Sequence, residues 1–205
     1  MRNYIALVGK KGPSLDEDCG YWGEKLVLLA QQLGLNTCWV GMTFKRVKGA
    51  FEVAPDEKLC IVISLGYGTT QGVAHKVKAA SEVSNVTESS PAWFRRGVEA
   101  ALLAPTAMNQ QKFTLTLAGN KVQAKATTAF FSKVDLSIVK YHFEVAAGAE
   151  NFTWAQRRKR RRQPHGHRLR HLGTIEPGAI LSHFICGFIK GWGNSPRAHC
   201  SSLAA

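Results

Sequence analysis

The sequence predicts a mixed α+β fold, in which helices lie on the faces of a central sheet. Residues 3–8 and 58–65 are apolar runs of strand length without polar alternation, a pattern typical of strands that are covered on both faces. Residues 21–33 and 93–104 instead place apolar side chains at helical spacing. With 205 residues, 45% of them apolar, the chain is long enough to bury one core of ordinary size.

The first helix and the strand after it have recognisable boundaries. Asp16 and Asp18, residues of helix-capping type, precede the helix predicted at residues 21–33, and Gly34 ends it. A short apolar stretch at residues 37–40 predicts the next strand. The side chains of this helix that are expected to face the core are Leu26, Leu29, Ala30 and Leu33.

The middle of the chain predicts a long loop and then a second helix. Residues 66–88 are polar and rich in glycine, which favours a loop. Pro91 lies where a first-turn proline begins a helix, and Pro105 stops the helix after residue 104. The side chains of this helix that are expected to be buried are Phe94, Val98, Ala101 and Leu102.

The last elements predicted are a hairpin and a final helix. Residues 113–117 and 121–126 flank a Gly-Asn pair at 119–120, and both of these residues tolerate positive φ. Asp135 is the expected cap of a helix that continues through Val145. No internal repeat and no heptad pattern occurs.

Charge divides the chain into two parts. The whole sequence has 27 basic and 14 acidic residues, a net charge of +13. Residues 1–155 hold 17 basic and 13 acidic residues, whereas residues 156–205 hold 10 basic residues and 1 acidic residue. The second part includes six consecutive basic residues that begin at Arg157 and end at Arg162. Neither helical nor strand periodicity holds in the second part. We therefore expect one domain at 1–155 and a disordered basic tail at 156–205.

Two interpretations of this tail remain. The abrupt change in composition is what a frameshift or readthrough extension would produce. Alternatively, the run from Arg157 to Arg162 would neutralise several phosphates, which predicts a non-enzymatic cationic protein that binds nucleic acid nonspecifically. Any such binding would be nonspecific because no interleaved aromatic residues accompany the charges.

Several classes of protein are excluded by composition. No apolar run reaches the roughly 18 to 20 residues of a membrane helix, and no signal pattern begins the chain, so we expect a cytoplasmic protein. Five cysteines without a CxxC pair predict reduced thiols. The histidines and cysteines of the tail do not have zinc-ligand spacing, so no metal site is predicted.

No motif of hydrolytic or nucleotide chemistry is present, but two loops have polar groups suited to a ligand. The loop at 105–111 offers one hydroxyl and three amides, which suit the carbonyls and ring nitrogens of a flat polar cofactor. The same loop could be only a capping turn. Lys76 and Lys78, at positions i and i+2 of an extended segment, could both contact one phosphate, or could be solvated surface residues.

Three segments together resemble the nitroreductase superfamily of flavin enzymes. They are residues 20–41, residues 65–78 and residues 91–113, which include Leu-Gly-Tyr-Gly-Thr-Thr-Gln-Gly at 65–72 and Pro-Thr-Ala-Met-Asn-Gln-Gln at 105–111. Their order is similar to that of the subgroup whose Pro-Ser/Thr-x-x-Asn-x-Gln loop lies in the C-terminal half. The resemblance covers about residues 3–154 and implies a nitroreductase-like fold.

The resemblance implies an FMN site in three parts. A backbone N–H near Gly41 would donate to N5 of the flavin. The implied cofactor-binding residues are Trp39, Val40, Gly41 and Met42 along the isoalloxazine, Lys76 and Lys78 near the phosphate, and Pro105, Thr106, Ala107, Asn109 and Gln111 against the ring or ribityl chain.

The resemblance also implies an activity. Members of the family transfer hydride from NAD(P)H to FMN and then to a nitroaromatic or quinone-like acceptor in a ping-pong reaction, and they form homodimers. The flavin supplies the reactivity, so no catalytic side chain is predicted.

One feature of the family has no counterpart in this sequence. Family members begin with a helix and an Arg-Arg-Ser-x-Arg type motif that binds the flavin phosphate, whereas this sequence starts in what resembles an internal strand. We therefore expect that an N-terminal segment is missing. Loss of two or three charge-assisted contacts, at roughly 1.5 to 3 kcal/mol each, would weaken FMN binding by orders of magnitude.

Overall fold

The computed structural model of the chain describes residues 3–44, 49–70 and 72–155. The predicted tail at 156–205 and both interpretations of it lie outside these residues. The elements in chain order are β1 (Asn3–Lys10), α1 (Leu15–Gln32), β2 (Asn36–Val40), β3 (Glu57–Gly66), α2 (Ala80–Val83), α3 (Ala92–Leu102), β4 (Phe113–Ala118), β5 (Lys121–Ala126), α4 (Ser132–Ala147) and β6 (Thr153–Trp154), with 3₁₀ turns at Ala107–Asn109 and Ala149–Asn151.

The predicted α+β class is confirmed, but the described strands form two sheets and not a single central one. The first sheet has the antiparallel order β1-β3-β2, and the second has the order β4-β5-β6. The amide of Asn85 bonds the N–H and the carbonyl of Leu117 at 2.8 and 3.0 Å, as a neighbouring strand would. This side chain and a parallel bridge between Ser84 and Leu115 therefore cover part of the outer edge of β4.

The face of α1 that packs inward is only partly the one predicted: Ala30 is buried and Leu26 packs against the core, but Leu29 and Leu33 do not. Leu29 and Leu33 are 50% and 64% exposed. The buried face combines Leu15 and Val27 with small residues: a Cβ at Gly20 would overlap the backbone of α4, and a Cβ at Gly23 would overlap the Trp39 ring. The close approach of α1 to its neighbours therefore requires glycine, and Leu29 and Leu33 remain outside.

Three helices begin at positions other than those predicted. The first helix, α1, begins at Leu15, so Asp16 and Asp18 lie in its first turn, where an acidic side chain interacts favourably with the helix dipole. Asp135 likewise lies inside the first turn of α4 and is not its cap, because its carboxylate bonds a distant loop. Pro91 is the residue before α3 and not part of its first turn.

Other expectations for the middle of the chain are confirmed or need a small correction. All four side chains predicted to be buried on α3 are buried. The region 66–88, predicted as a loop, contains α2, which at four residues is too short to show helical periodicity. The hairpin forms as expected, with positive φ at Gly119.

Aromatic side chains of α3, of α4 and of the segment before β6 pack together in the core. Phe94 of α3 and Phe152 beside β6 both pack on Phe143 of α4, with ring centroids 5.8 and 5.1 Å away. Cys19, Cys38 and Cys60 form no disulfide among the described residues. Among the described helices, none is long and apolar enough to cross a membrane.

Candidate functional site

Three segments between regular elements form the candidate site. The strand-end segment (residues 39–42) includes the last residues of β2 and the turn after it. The lysine segment (residues 76–78) is extended chain before α2. The proline loop (residues 105–111) connects α3 to β4. These are the segments that contain the eleven predicted cofactor-binding residues.

The proline loop and the lysine segment are joined by the side chain of Gln111. Its Nε2 donates to the Lys76 carbonyl at 2.8 Å and to Oδ1 of Asn109 at 2.8 Å, and its Oε1 accepts the Lys78 N–H at 2.9 Å. Asn109 Nδ2 donates to the same Lys76 carbonyl at 2.8 Å. Gln111 is only 3% exposed. Both amides therefore hold protein backbone in place.

The backbone of the proline loop is strained. Met108, Asn109 and Gln111 have φ values of 54°, 50° and 45°, in the left-handed region that costs a non-glycine residue roughly 1 to 2 kcal/mol. Phe131, just before α4, has a φ of 55°, and no other non-glycine residue of the described ranges has a positive φ. The buried hydroxyl of Thr106 accepts the Gln111 N–H at 3.0 Å inside this turn. The strain is thus confined to the proline loop and the start of α4.

Asp135 joins these two strained regions. Both of its carboxylate oxygens accept the Ala107 N–H at 3.1 Å, and Oδ2 also accepts Nε2 of Gln110 at 2.8 Å. The same Gln110 nitrogen donates to the Phe130 carbonyl at 2.9 Å. Burial raises the pKa of Asp135 from 3.8 to about 6, although the bonds from Gln110 and Ala107 act in the opposite direction.

The strand-end segment contacts the start of α4 through an aromatic ring. The ring of Phe131 lies against the backbone of Gly41, where a Cβ would be 2.5 Å from the ring atom Cζ. Only glycine permits this approach. The strand-end segment and the proline loop therefore both contact the start of α4, through Phe131 and Asp135, and the lysine segment is joined to the proline loop through Gln111. Met42, which follows Gly41, is exposed.

Trp39 and Val40 lie partly in the interior. The Trp39 indole N–H donates to Oε2 of Glu24 at 3.1 Å, and the ring packs over Gly23 of α1. Glu24 is 1% exposed, and its other oxygen is 2.7 Å from Nε2 of His142. Val40 is half-buried in β2. The indole of Trp39 thus joins β2 to α1.

The two lysines are not equivalent. Lys78 Nζ donates to the Gln111 carbonyl at 3.1 Å. Lys76 is exposed, and its ammonium has no hydrogen bond or ion pair with any residue that the structure describes. Of the pair predicted to contact a phosphate, Lys76 therefore has the ammonium that is available to a ligand.

Sequence reasoning missed three residues that shape the site. Gln110 holds the start of α4, Phe131 covers Gly41, and the His75 ring lies between the carbonyls of Lys76 and Leu103, at 3.1 and 3.4 Å. Nothing in the local sequence marks Phe131 for a left-handed conformation. Gln110 is one of the amides noted in the loop, but its contact with α4 could not be read from spacing.

Comparison with known proteins identifies the family. The sequence model of a family described as "Putative TM nitroreductase" matches residues 1–147. The chain belongs to this nitroreductase family. All three segments of the candidate site lie within the matched residues, so the nitroreductase resemblance inferred from the motifs is confirmed.

A solved structure supports the nitroreductase-like fold. The crystal structure of a putative nitroreductase from Thermotoga maritima is similar to the chain with a TM-score of 0.57 and 24% sequence identity. The match covers 71% of this chain and 61% of that one, so the chain spans about three fifths of the length of this relative. No curated protein matches the sequence.

Proposed function

We propose that this nitroreductase-family chain is an FMN-dependent NAD(P)H oxidoreductase, which reduces nitroaromatic or quinone-like acceptors by ping-pong hydride transfer. The observation that supports this function is that hydrogen bonds and one aromatic contact join the three segments to one another or to the start of α4. The motifs that resemble those of flavin enzymes are up to 70 residues apart in sequence, as are Gly41 and Gln111. They nevertheless form one continuous set of contacts.

The chemistry of the side chains at this place fits FMN. The Lys76 ammonium is exposed and suits a phosphate. The Phe131 ring lies against Gly41 and gives this end of the site an apolar surface. Met42 and Met108 are exposed apolar side chains beside these groups, and apolar lining is typical of cofactor sites. The amide of Gln111 is already bonded within the protein, so we assign it to holding the lysine segment.

When bound, FMN supplies the hydride chemistry. The residues of the chain bind and orient the cofactor: Lys76 binds the phosphate, and the backbone N–H of Gly41 faces the ring. Asn109 and Gln111 fix the Lys76 backbone, so that the direction of the lysine side chain is defined. We name no catalytic side chain, because the candidate site has no group that must act as nucleophile or general acid.

We propose that the chain forms a homodimer through the same face. Large apolar side chains are exposed on or next to the three segments, whereas monomeric proteins rarely leave contiguous apolar patches uncovered. They are Met42, Val77, Leu103, Met108 and Phe130. Light scattering of Phe130→Ser should show a shift from dimer to monomer. Val145→Ser, which changes an exposed apolar side chain on α4, should leave the dimer intact; equal effects would contradict the proposed face.

An FMN titration followed by fluorescence quenching tests the function. The chain should quench FMN saturably, and Lys76→Ala should raise the dissociation constant by about tenfold or more, since a charge-assisted contact is lost. Lys125→Ala removes the same charge from an exposed position on β5 and should leave the affinity unchanged. If quenching does not saturate, or if both variants behave alike, the proposed site is wrong.

A chain that binds FMN should also catalyse the proposed reaction. With FMN bound and oxygen excluded, the chain should oxidise one equivalent of NADH or NADPH per flavin and should turn over repeatedly only when a quinone such as menadione or a nitroaromatic is present. The initial-rate plots should be parallel, as ping-pong kinetics require. Neither comparison supports the alternative of a nucleic-acid-binding protein. The cytoplasm, where NAD(P)H is available, is the location we propose.

A further inference from the structure

Asp135 is a buried carboxylate that bonds the proline loop directly, and the cofactor contacts proposed above do not use it. It is 9% exposed, and three hydrogen-bond distances of 2.8 to 3.1 Å join it to Ala107 and Gln110 of the proline loop. Ala107 is one of the residues that the resemblance places against the flavin. The carboxylate therefore contacts the loop from the protein side.

The bonds of Asp135 lie where the backbone is strained. Ala107 immediately precedes Met108 and Asn109, which are left-handed, and Phe131, which is also left-handed, precedes α4 by one residue. A strained turn persists only if its surroundings hold it. The bonds from Asp135 to the turn, and the bond from Gln110 to the Phe130 carbonyl, are the polar contacts between the two strained regions.

Among the residues that the structure describes, no positive charge is paired with this carboxylate. The ion pairs of the described residues involve Asp56, Asp16 and Glu24, and no lysine, arginine or histidine among those residues pairs with Asp135. Its polar neighbours are the Ala107 N–H and the Gln110 amide, and burial raises its pKa to about 6. A buried carboxyl with a raised pKa that bonds a loop of the candidate site is itself a candidate for a functional role.

We propose that Asp135 is a positioning residue: its carboxylate holds the proline loop against the start of α4, in the conformation that binds the flavin. This inference rests on the proposed function. Hydrogen bonds to an ionised carboxylate are roughly twice as strong as those to a neutral group. Protonation of Asp135 therefore loosens the loop and weakens flavin binding, although Asp135 itself does not touch the flavin.

The test compares Asp135→Asn with the full wild-type chain. Asparagine keeps the shape and one acceptor oxygen but removes the charge, and its NH₂ group would face the Gln110 nitrogen. Asp18→Asn is the matched control, because it removes an exposed carboxylate from the first turn of another helix, α1. Riboflavin is the probe for pH dependence, since it lacks the phosphate that itself titrates in this range.

At pH 7.5, Asp135→Asn should raise the riboflavin dissociation constant by about tenfold, and Asp18→Asn should not change it. Wild-type affinity should fall as the pH decreases from 7.5 to 5, whereas affinity of Asp135→Asn should be weak and flat over this range. A purely structural role would not produce this difference in pH profile. Equal affinities, or parallel pH profiles, would overturn the proposal.

A second measurement separates this inference from the proposed function. Amide hydrogen exchange by NMR reports the Ala107 N–H directly in the flavin-free chain, and exchange should be faster in Asp135→Asn than in the wild type. If the wild type binds no flavin, the proposed function is wrong. Unchanged exchange at Ala107 would then overturn the inference as well, while faster exchange would support Asp135 as the residue that holds the loop.

Discussion

The interface of α1 with α4 and the candidate site are built in opposite ways. At the interface, two regular helices approach closely at Gly20, and polar side chains are paired across it, as in the 2.6 Å bond from the Tyr21 hydroxyl to Glu144. At the candidate site, short segments in left-handed conformations are held by buried polar side chains. The first region stabilises the fold through packing, and the second tolerates strain to fix groups near the surface.

The largest effect is expected from Gly20→Ala, in the packed region. The new methyl group would overlap the carbonyl oxygen of Val134, which cannot move without a shift of α4. Overpacking of this kind lowers the free energy of unfolding by about 3 kcal/mol. Urea denaturation measures the loss.

Gly12→Ala is the control for this substitution, because the nearest atom to its Cβ would be an ordinary 3.9 Å away and its φ is not positive. Its free energy of unfolding should change by less than about 1 kcal/mol. If Gly20→Ala is as stable as Gly12→Ala, the helices are not as closely packed as the structure indicates.

The pH dependence of stability is the next largest effect, and it belongs to the candidate site. The pKa of Asp135 is raised in the folded state, so the folded state binds this proton more tightly than the unfolded state. Asp135 therefore contributes its full stabilisation of the folded state below about pH 4, and this stabilisation is lost as the pH rises through about 6. A shift of roughly 2 units limits it to about 3 kcal/mol.

The difference in unfolding free energy between wild type and Asp135→Asn, measured in urea from pH 4 to 8, isolates this contribution. It should decrease with rising pH through this window. Asp18→Asn should give a difference curve without that slope. A flat curve for Asp135→Asn would mean that its carboxyl is not buried as described, and that the two regions respond alike to pH.

The two regions also differ in how well sequence predicts them. Helical spacing correctly predicted the buried side chains Phe94 and Val98, because large apolar residues mark that face. The same reasoning failed for Leu29 and Leu33, since part of the buried face of α1 is formed by Gly20 and Gly23, which have no hydrophobic signal. Close packing of glycine becomes visible only once the neighbouring helix is known.

At the candidate site, the motifs predicted which segments matter but not how they are joined. The bond between Asp135 and Ala107 connects residues that are 28 positions apart, and local spacing therefore assigned Asp135 to a helix cap. The amide of Gln111 was expected to be available to a cofactor, yet it bonds the lysine segment. Whether the eleven residues bind FMN stays a prediction.

Gln111→Met tests the polar bonds of the candidate site. Methionine has a similar volume but replaces none of the three side-chain hydrogen bonds, so the Lys78 N–H and the Asn109 amide lose a partner. The expected cost is about 2 kcal/mol in unfolding free energy. Gln32→Met, at the exposed end of α1, should cost almost nothing. If the two variants are equally stable, the side chain of Gln111 does not hold the lysine segment.

The smallest expected effect has the opposite sign and tests the strain directly. Met108 has a φ of 54° and is 86% exposed, so its side chain contributes little packing. Glycine adopts this conformation without the steric cost, and Met108→Gly should therefore raise the free energy of unfolding by about 0.5 to 1 kcal/mol, after the greater entropy of unfolded glycine is subtracted. Thermal and urea unfolding both measure this gain.

Met108→Ala is the matched control, because it shortens the same side chain but keeps the left-handed cost. It should be no more stable than the wild type. A gain in Met108→Gly alone would show that the proline loop holds strain that the packed helices do not. If alanine stabilises as much as glycine does, the gain comes from removing an exposed apolar side chain. The contrast between a relaxed scaffold and a strained site would then have to rest on Asn109, Gln111 and Phe131.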